Sequence, residues 1–358
     1  MSSDRDLLHF VGSIPLESSE EVFRRLSGEV GAFLRRLPDG ETGERAKWIR
    51  FQQTMLEQHP AIEVDATQPP LPVAQSDGTV LRMIERVRLK PDVDPEDVVF
   101  DTGYDRAALS SYSTFRRLRE DGTIPQGMRF QFALPTPMAT GLMYVSPNGR
   151  EKYLRCYERA LLTALGNIVS SIPHAELSIQ FDVCQEVLLF ENYFPERDPD
   201  YKEATFRQFG RLAAAVPDGV ELGFHLCYGS PGDQPLIVLR DAQVLVELMN
   251  GIGAFVKRRV DFIHIPVPKN AGDAFFAPLR AWVQPSGTQL YLGLLQHDDA
   301  AGDQARIAAA RRVVSNFGVA AECGFGRTDP ARVPRLLAGH LAAAQTLAHA
   351  GGRLPGKT

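Results

Sequence analysis

Near the middle of the chain the segment FHLCYG sets His225 and Cys227 two residues apart. In an extended strand residues i and i+2 point the same way, so this imidazole and this thiol share one face. Nitrogen and thiolate sulfur are donors that zinc prefers, and Cys323, in ECGFGR, offers a further thiol of the same kind. A plainer reading stands beside this one, in which Cys227 is a small buried apolar residue and His225 a hydrogen-bonded core histidine. Proton transfer has its own candidates. His297 sits next to Asp298 and Asp299 and is the natural proton carrier near neutral pH, and Glu41 lies in LPDGETGER with Asp39 and Arg45. Arg45 or Arg327 could grip a carboxylate or phosphate through the planar guanidinium fork. The structural alternatives are a relaxed turn at DGETGER, an Arg327 paired with Glu322 or Asp329, and Asp298 and Asp299 capping the helix that follows.

What positions such groups is a repeated pattern. Short apolar runs, each followed by Gly, Pro, Asp or His and then by a segment of helical periodicity, imply strands and helices that build a parallel sheet. The runs are Leu7 to Val11, Ala32 to Leu37, Met128 to Leu134, Glu176 to Asp182, Glu221 to Cys227, Asp261 to Pro266, Gln289 to Leu294 and Val319 to Cys323. Ser18 to Glu21 form a capping signal for the first helix, and Pro147, Asp241 and Pro330 stand near later helix starts. This alternation predicts the α/β class and, within it, a (β/α)8 TIM barrel. That fold takes about 250 residues, so part of the 358 must be insertion. The main surplus is the proline-rich stretch 60–104 between the second and third strands, expected as a loop or hairpin excursion over the barrel mouth. Residues 1–350 are thus expected as a single barrel, and 351–358 as a flexible tail.

In such a barrel the chemistry collects at the C-terminal ends of the strands. Ser13 follows the first strand, Asp39, Glu41 and Arg45 the second, Asp182, Cys184 and Glu186 the fourth. Cys227 and Tyr228 follow the fifth, and His264 with Pro266 and Lys269 the sixth. His297 and Asp299 follow the seventh, and Glu322, Cys323 and Arg327 the eighth. Ser13, Asp39, Arg45, Asp182, Glu186, Tyr228 and Arg327 are the candidate substrate-binding residues; His297, Asp299 and Glu41 are the candidate catalytic ones.

Composition narrows the partners. With 39 Lys and Arg against 44 Asp and Glu the net charge is −5, which leaves no broad basic surface for nucleic acid. No uninterrupted apolar stretch has the length of a membrane span, and MSSDRDLLHFVG lacks the features of a secretory signal. The chain has 4 cysteines, too few for a disulfide framework at this size, which suits a reducing compartment. The expectation is a cytoplasmic protein acting on a small molecule.

Four segments then carry a resemblance. FVGSIP at Phe10 to Pro15, IQFD at Ile179 to Asp182, HLCYG at His225 to Gly229 and ECGFGR at Glu322 to Arg327 stand in the order, and at the strand ends, of the catalytic barrel of cobalamin-independent methionine synthase. The chain resembles that family, in the superfamily that also holds uroporphyrinogen decarboxylase. LPDGETGER at Leu37 to Arg45 and LGLLQHDD at Leu292 to Asp299 place it nearer a divergent branch. The resemblance implies that His225, Cys227 and Cys323 match three zinc ligands. Where the family has a fourth, a glutamate, this chain has Pro266, and proline cannot coordinate a metal. His264 shares a face with Pro266 one layer deeper and is a candidate replacement; water or substrate is the other. The family's aspartate and glutamate on strand four, which hold the homocysteine amino group, correspond to Asp182 and Val183, so one carboxylate is missing. The resemblance implies a zinc-dependent methyl- or alkyl-transferase acting on a small thiol or related substrate. A metal-free lyase or decarboxylase of the uroporphyrinogen decarboxylase type, and a barrel that only binds a ligand, are the other two readings.

Overall fold

The computed structural model describes residues 6–350, so the tail predicted at 351–358 lies outside the described residues. The strands are β1 Arg36–Pro38, β2 Ile62–Val64, β3 Leu71–Ala74, β4 Val80–Ile84, β5 Val87–Leu89, β6 Arg129–Pro135, β7 Leu177–Val183, β8 Glu221–Leu226, β9 Phe262–Pro266, β10 Gln289–Leu295 and β11 Gly318–Ala321. Helices alternate with them, among them α1 Ser19–Glu29, α2 Arg50–Gln58, α3 Tyr104–Glu120, α4 Pro137–Tyr144, α5 Arg150–Ser171 and α6 Gln185–Phe190. Seven strands form one parallel sheet in the order β1, β6, β7, β8, β9, β10, β11. The predicted (β/α)8-type barrel is therefore the architecture observed.

Its eighth stave departs from the expected form. Leu7 to Val11, predicted as a strand, lies between the two edges of the sheet and closes it through single bridges from Leu8 to Leu34 and from Leu8 to Val319. Beyond Leu8 the carbonyls are taken by side chains. Gln131 Nε2 donates to Phe10 O at 2.9 Å and to Val11 O at 3.0 Å, and Gln180 Nε2 donates to Val11 O at 2.7 Å. Backbone pairing resumes as a single bridge from Ser13 to Gly40. The second predicted strand also shifts: Gly31–Phe33 is a 3₁₀ turn and the strand is Arg36–Pro38.

Side-chain alternation explains how the barrel both folds and presents polar groups. Phe130, Phe132, Ile179, Phe181, Leu222, Phe224, Ile263, Ile265, Leu290 and Leu292 point outward into the main apolar core under the helices. The intervening positions face the barrel interior and carry Gln131, Gln180, Asp182, Glu221, His225, His264 and Tyr291, all buried. At the lower end Glu221 takes ion pairs from Arg35, Arg36 and Arg129, which satisfies a charge that burial would otherwise penalise. The interior polarity therefore rises from a neutralised base to a site at the opposite rim.

Residues 60–104 hold two antiparallel pairs, β2 with β5 and β3 with β4, the second nested inside the first. A second apolar cluster ties this excursion to α4 and α5 and to Cys184 and Cys227. Val73, Leu81 and Arg82 from the inner hairpin reach the cavity at the rim. No described helix is long and apolar enough to cross a membrane.

Candidate metal centre and its cavity

His225, next to last in β8, faces inward, and the chain continues so that Cys227 lies beside it; Cys323 arrives just after β11. One ligand atom from each of the three lies within 4.8 Å of the other two. Cys227 Sγ is 3.2 Å from Cys323 Sγ, and Cys323 Sγ is 3.6 Å from His225 Nε2. A tetrahedral ion with metal–ligand bonds of roughly 2.0–2.3 Å spaces its donors about 3.3–3.8 Å apart, so the donor set and its spacing fit zinc. Gly229 N donates to Cys227 Sγ at 3.3 Å, a contact made possible by the left-handed backbone at Gly229, φ +66°.

The free nitrogen of His225 can be deduced from its neighbours. His264 Nε2 lies 3.0 Å from the carbonyl of Ala321, which can only accept, so Nε2 carries the proton. Burial pushes the His264 pKa down to about 3, which keeps that ring neutral and makes its Nδ1 an acceptor. His225 Nδ1, 2.7 Å away, is then the donor, and the lone pair of His225 falls on Nε2, the atom next to Cys323. His264 stands outside the cluster of three, with both ring nitrogens engaged. Burial also holds His225 neutral, with His264 and Arg327 acting in the same direction.

Above the cluster opens a cavity of about 580 Å³, within the range that suits a small molecule. Ser13, Glu41, Asp182, His225, Cys227, Cys323 and Arg327 are on its wall. Glu41 and Asp182 are both buried on this wall, and Glu41 opposes ionisation of Asp182. Burial is the main cause of the Glu41 rise, to about 7, with Asp39 adding to it while Arg45 and Arg327 oppose it. Burial also drives the Asp182 carboxyl well up, and Glu41 adds to it. Asp182 accepts from Gln180 Nε2 at 2.9 Å and from Trp48 Nε1 at 3.2 Å. Glu41 owes its place to Gly12, where a Cβ would stand 2.2 Å from the Glu41 Oε1 atom. Arg327 keeps a buried Nε without a hydrogen-bond partner, and Ser13 Oγ accepts from Gly326 N at 3.3 Å.

Other residues singled out from sequence sit elsewhere. Asp39 and Arg45 are paired with each other at 2.5 Å, Asp39 also accepts from Ser111, and the Arg45 guanidinium lies over the Phe132 ring. Neither is on the cavity wall. Glu186 is buried in α6 against Thr136 Oγ1 at 2.5 Å, and Tyr228 donates its hydroxyl to Glu322. Asp299 caps the helix Ala300–Arg311 and pairs with Arg306 at 2.9 Å. His297 lies off the wall beside Asp298 at 3.6 Å, its ring nitrogens without hydrogen-bond partners. Sequence reasoning passed over Lys47, Trp48, Arg50 and Arg82, which bring cations and an indole to the mouth of the cavity. Trp48 is one of 2 tryptophans in the chain and follows the DGETGER turn, the single signal that could have drawn attention to it. Arg82 belongs to the excursion expected over the barrel mouth, but no local pattern tells which of its side chains reach the cavity.

Fold and site together describe a parallel α/β barrel with a candidate metal centre at the C-terminal rim. Among solved structures, the chain is similar to a candidate vitamin-B12-independent methionine synthase from Listeria monocytogenes. The TM-score is 0.54 at 15% identity, over 92% of this chain and 86% of that one. It is also similar to a B12-independent methionine synthase from Shewanella sp. W3-18-1 in complex with selenomethionine, with a TM-score of 0.57 at 15% identity, over 97% of this chain and 99% of that one. These likenesses establish the fold. No family model and no curated protein matches the chain.

Proposed function

We propose that this protein is a zinc-dependent transferase that moves a methyl or other alkyl group to or from a small thiol, with residues 1–350 acting as one catalytic barrel. The observation that carries the reading is the convergence of His225, Cys227 and Cys323 under a cavity of small-molecule size. Bound there, zinc would hold a substrate sulfur as thiolate at neutral pH. The chain's own groups supply the rest. The His225 tautomer is held by His264, so its Nε2 faces the donors without rearrangement. Glu41, with a pKa of about 7, can take the thiol proton and return it, and the Asp182 carboxyl beside it, pushed toward its neutral form, can hydrogen-bond a polar group of the substrate. Arg327, with an unpartnered Nε aimed into a buried setting, can grip a carboxylate or phosphate. Selenomethionine in the Shewanella structure, a methylated seleno-amino acid, supports a substrate of amino-acid size. A metal-free lyase is the second reading, favoured by Pro266 at the place of the missing ligand.

Turnover tests the first reading. Zinc-loaded protein is incubated with small thiols and a panel of methyl and alkyl donors, and thioether formation is followed by mass spectrometry. Product from the parent but not from Cys227→Ser is expected; equal product from both, or activity of the parent undiminished by a chelator, would overturn the metal mechanism, and no thioether from any donor would favour the lyase reading.

A further inference from the structure

Cys184 lies at the end of β7, where the chain turns into α6. The parallel register pairs Asp182 with His225 and Val183 with Leu226, and Cys227 N donates to Val183 O at 2.9 Å. One step further along the same two strands, Cys184 comes to stand beside Cys227. Both thiols belong to one apolar cluster beside the cavity. Cys184 also comes close to the loop at Gly229, where a Cβ would stand 3.6 Å from Cys184 Sγ. Cys184 is buried and lies on the wall of the same cavity as His225, Cys227 and Cys323. Three thiols from three different strand ends therefore line one cavity in a chain that has 4 cysteines.

The donor count makes this placement meaningful. Zinc in proteins is almost always four-coordinate, and a buried site supplies three or four of the ligands. At the end of β9 the chain offers Pro266, paired with Gly293 and absent from the cavity wall. His264 has both nitrogens engaged. Cys184 brings a further soft donor atom to the same cavity, from the strand end next to Cys227. It stands outside the tight group of three, so its side chain must turn toward the others to complete a tetrahedron. Rotation about its Cα–Cβ bond is the movement that would carry the thiol there.

Building on the zinc reading above, we propose that Cys184 is the fourth metal ligand, giving a one-histidine, three-thiolate site in the resting protein. As the donor farthest from the other three, it is the one a substrate sulfur would replace. Four ligands of this kind are closer to a soft-metal site than the family pattern with its carboxylate, and three thiolates favour zinc or cadmium over harder ions.

The test counts sulfurs on the metal, with no need of a substrate. Cobalt(II) is titrated into metal-free parent, Cys184→Ser and Cys227→Ser, reading the thiolate-to-cobalt charge-transfer absorption. X-ray absorption on the unmutated zinc-loaded protein then gives the sulfur number independently of any variant. Three sulfurs on zinc are expected, with a loss of about one third of the charge-transfer intensity in Cys184→Ser and a drop in zinc affinity of about tenfold or more. Two sulfurs, with Cys184→Ser indistinguishable from the parent, would overturn Cys184 as a ligand and leave the three-residue centre standing. No charge-transfer band in the parent would overturn the zinc reading itself, and this inference with it.

Discussion

Nδ1 of His225 and Nδ1 of His264 face each other at 2.7 Å, while the far nitrogen of His264 is held by the carbonyl of Ala321 at 3.0 Å. That chain of two bonds turns a backbone carbonyl into the device that decides which nitrogen of His225 is free. Replacing His264 with Phe breaks the chain and leaves His225 Nδ1 without an acceptor. Loss of a partner behind a metal-bound histidine typically lowers metal affinity about 10- to 100-fold. Competition against a calibrated zinc chelator is expected to show a decrease of that size, with a cost in stability of roughly 1–3 kcal/mol from the unpaired groups. Unchanged affinity in a folded His264→Phe protein would show that the tautomer needs no such support.

Glu41 and Asp182 give the folded state a distinctive pH dependence. Burial raises the Glu41 pKa from its ordinary value of 4.5 to about 7, so between those values the folded protein holds a proton that the unfolded chain has released. The stabilisation is complete below the lower value and is lost as pH rises through the upper one, at up to about 1.4 kcal/mol per pH unit and on the order of 3 kcal/mol in all. The upward displacement of Asp182 acts with the same sign. Urea midpoints at about pH 5 and about pH 8 should therefore fall with pH in the parent and fall less steeply in Glu41→Gln. Parallel slopes would place the proton elsewhere.

Gly12 tests the position of that carboxylate without touching it. A methyl group there would stand 2.2 Å from Glu41 Oε1, which must move. Gly12→Ala is expected to bind zinc as the parent does and to lose turnover by about a hundredfold, the scale at which a misplaced acid–base group is felt. Parent-like turnover would remove Glu41 from the proton path.

His297 is expected to matter little to turnover, because its ring stands off the cavity wall. His297→Ala should keep activity and stability within about twofold and 0.5 kcal/mol of the parent, the usual range for a side chain without structural partners. A large loss of activity with folding intact would mean that the loop after β10 moves into the site.

Much of this centre could be read from residue order because its logic is local. A histidine and a cysteine two apart at a strand end must share a face, and a cysteine at the end of the last strand must open on the same rim. The outward apolar positions made the strands β6 to β10 visible for the same reason. What could not be read depends on contacts distant in sequence. The ion pair between Asp39 and Arg45 and the seat of Glu186 against Thr136 are decided by tertiary neighbours. The stave at Leu7 to Val11 looked like a strand, yet glutamines more than a hundred residues away take its carbonyls. The placement of Cys184 next to Cys227 follows from the β7–β8 register, which a single sequence does not contain.

Zinc per chain is the measurement that bears most directly on the central claim. Protein purified without a metal-binding tag is saturated with zinc, dialysed at neutral pH and submitted to elemental analysis alongside Cys227→Ser and Cys323→Ser. The parent is expected to approach one zinc per chain and to release it as pH falls and the thiolates and imidazole take up protons, while each variant retains less than about a tenth as much. A parent that binds no more zinc than the two variants, and that turns over substrate undisturbed by chelator, would contradict a metal centre at His225, Cys227 and Cys323.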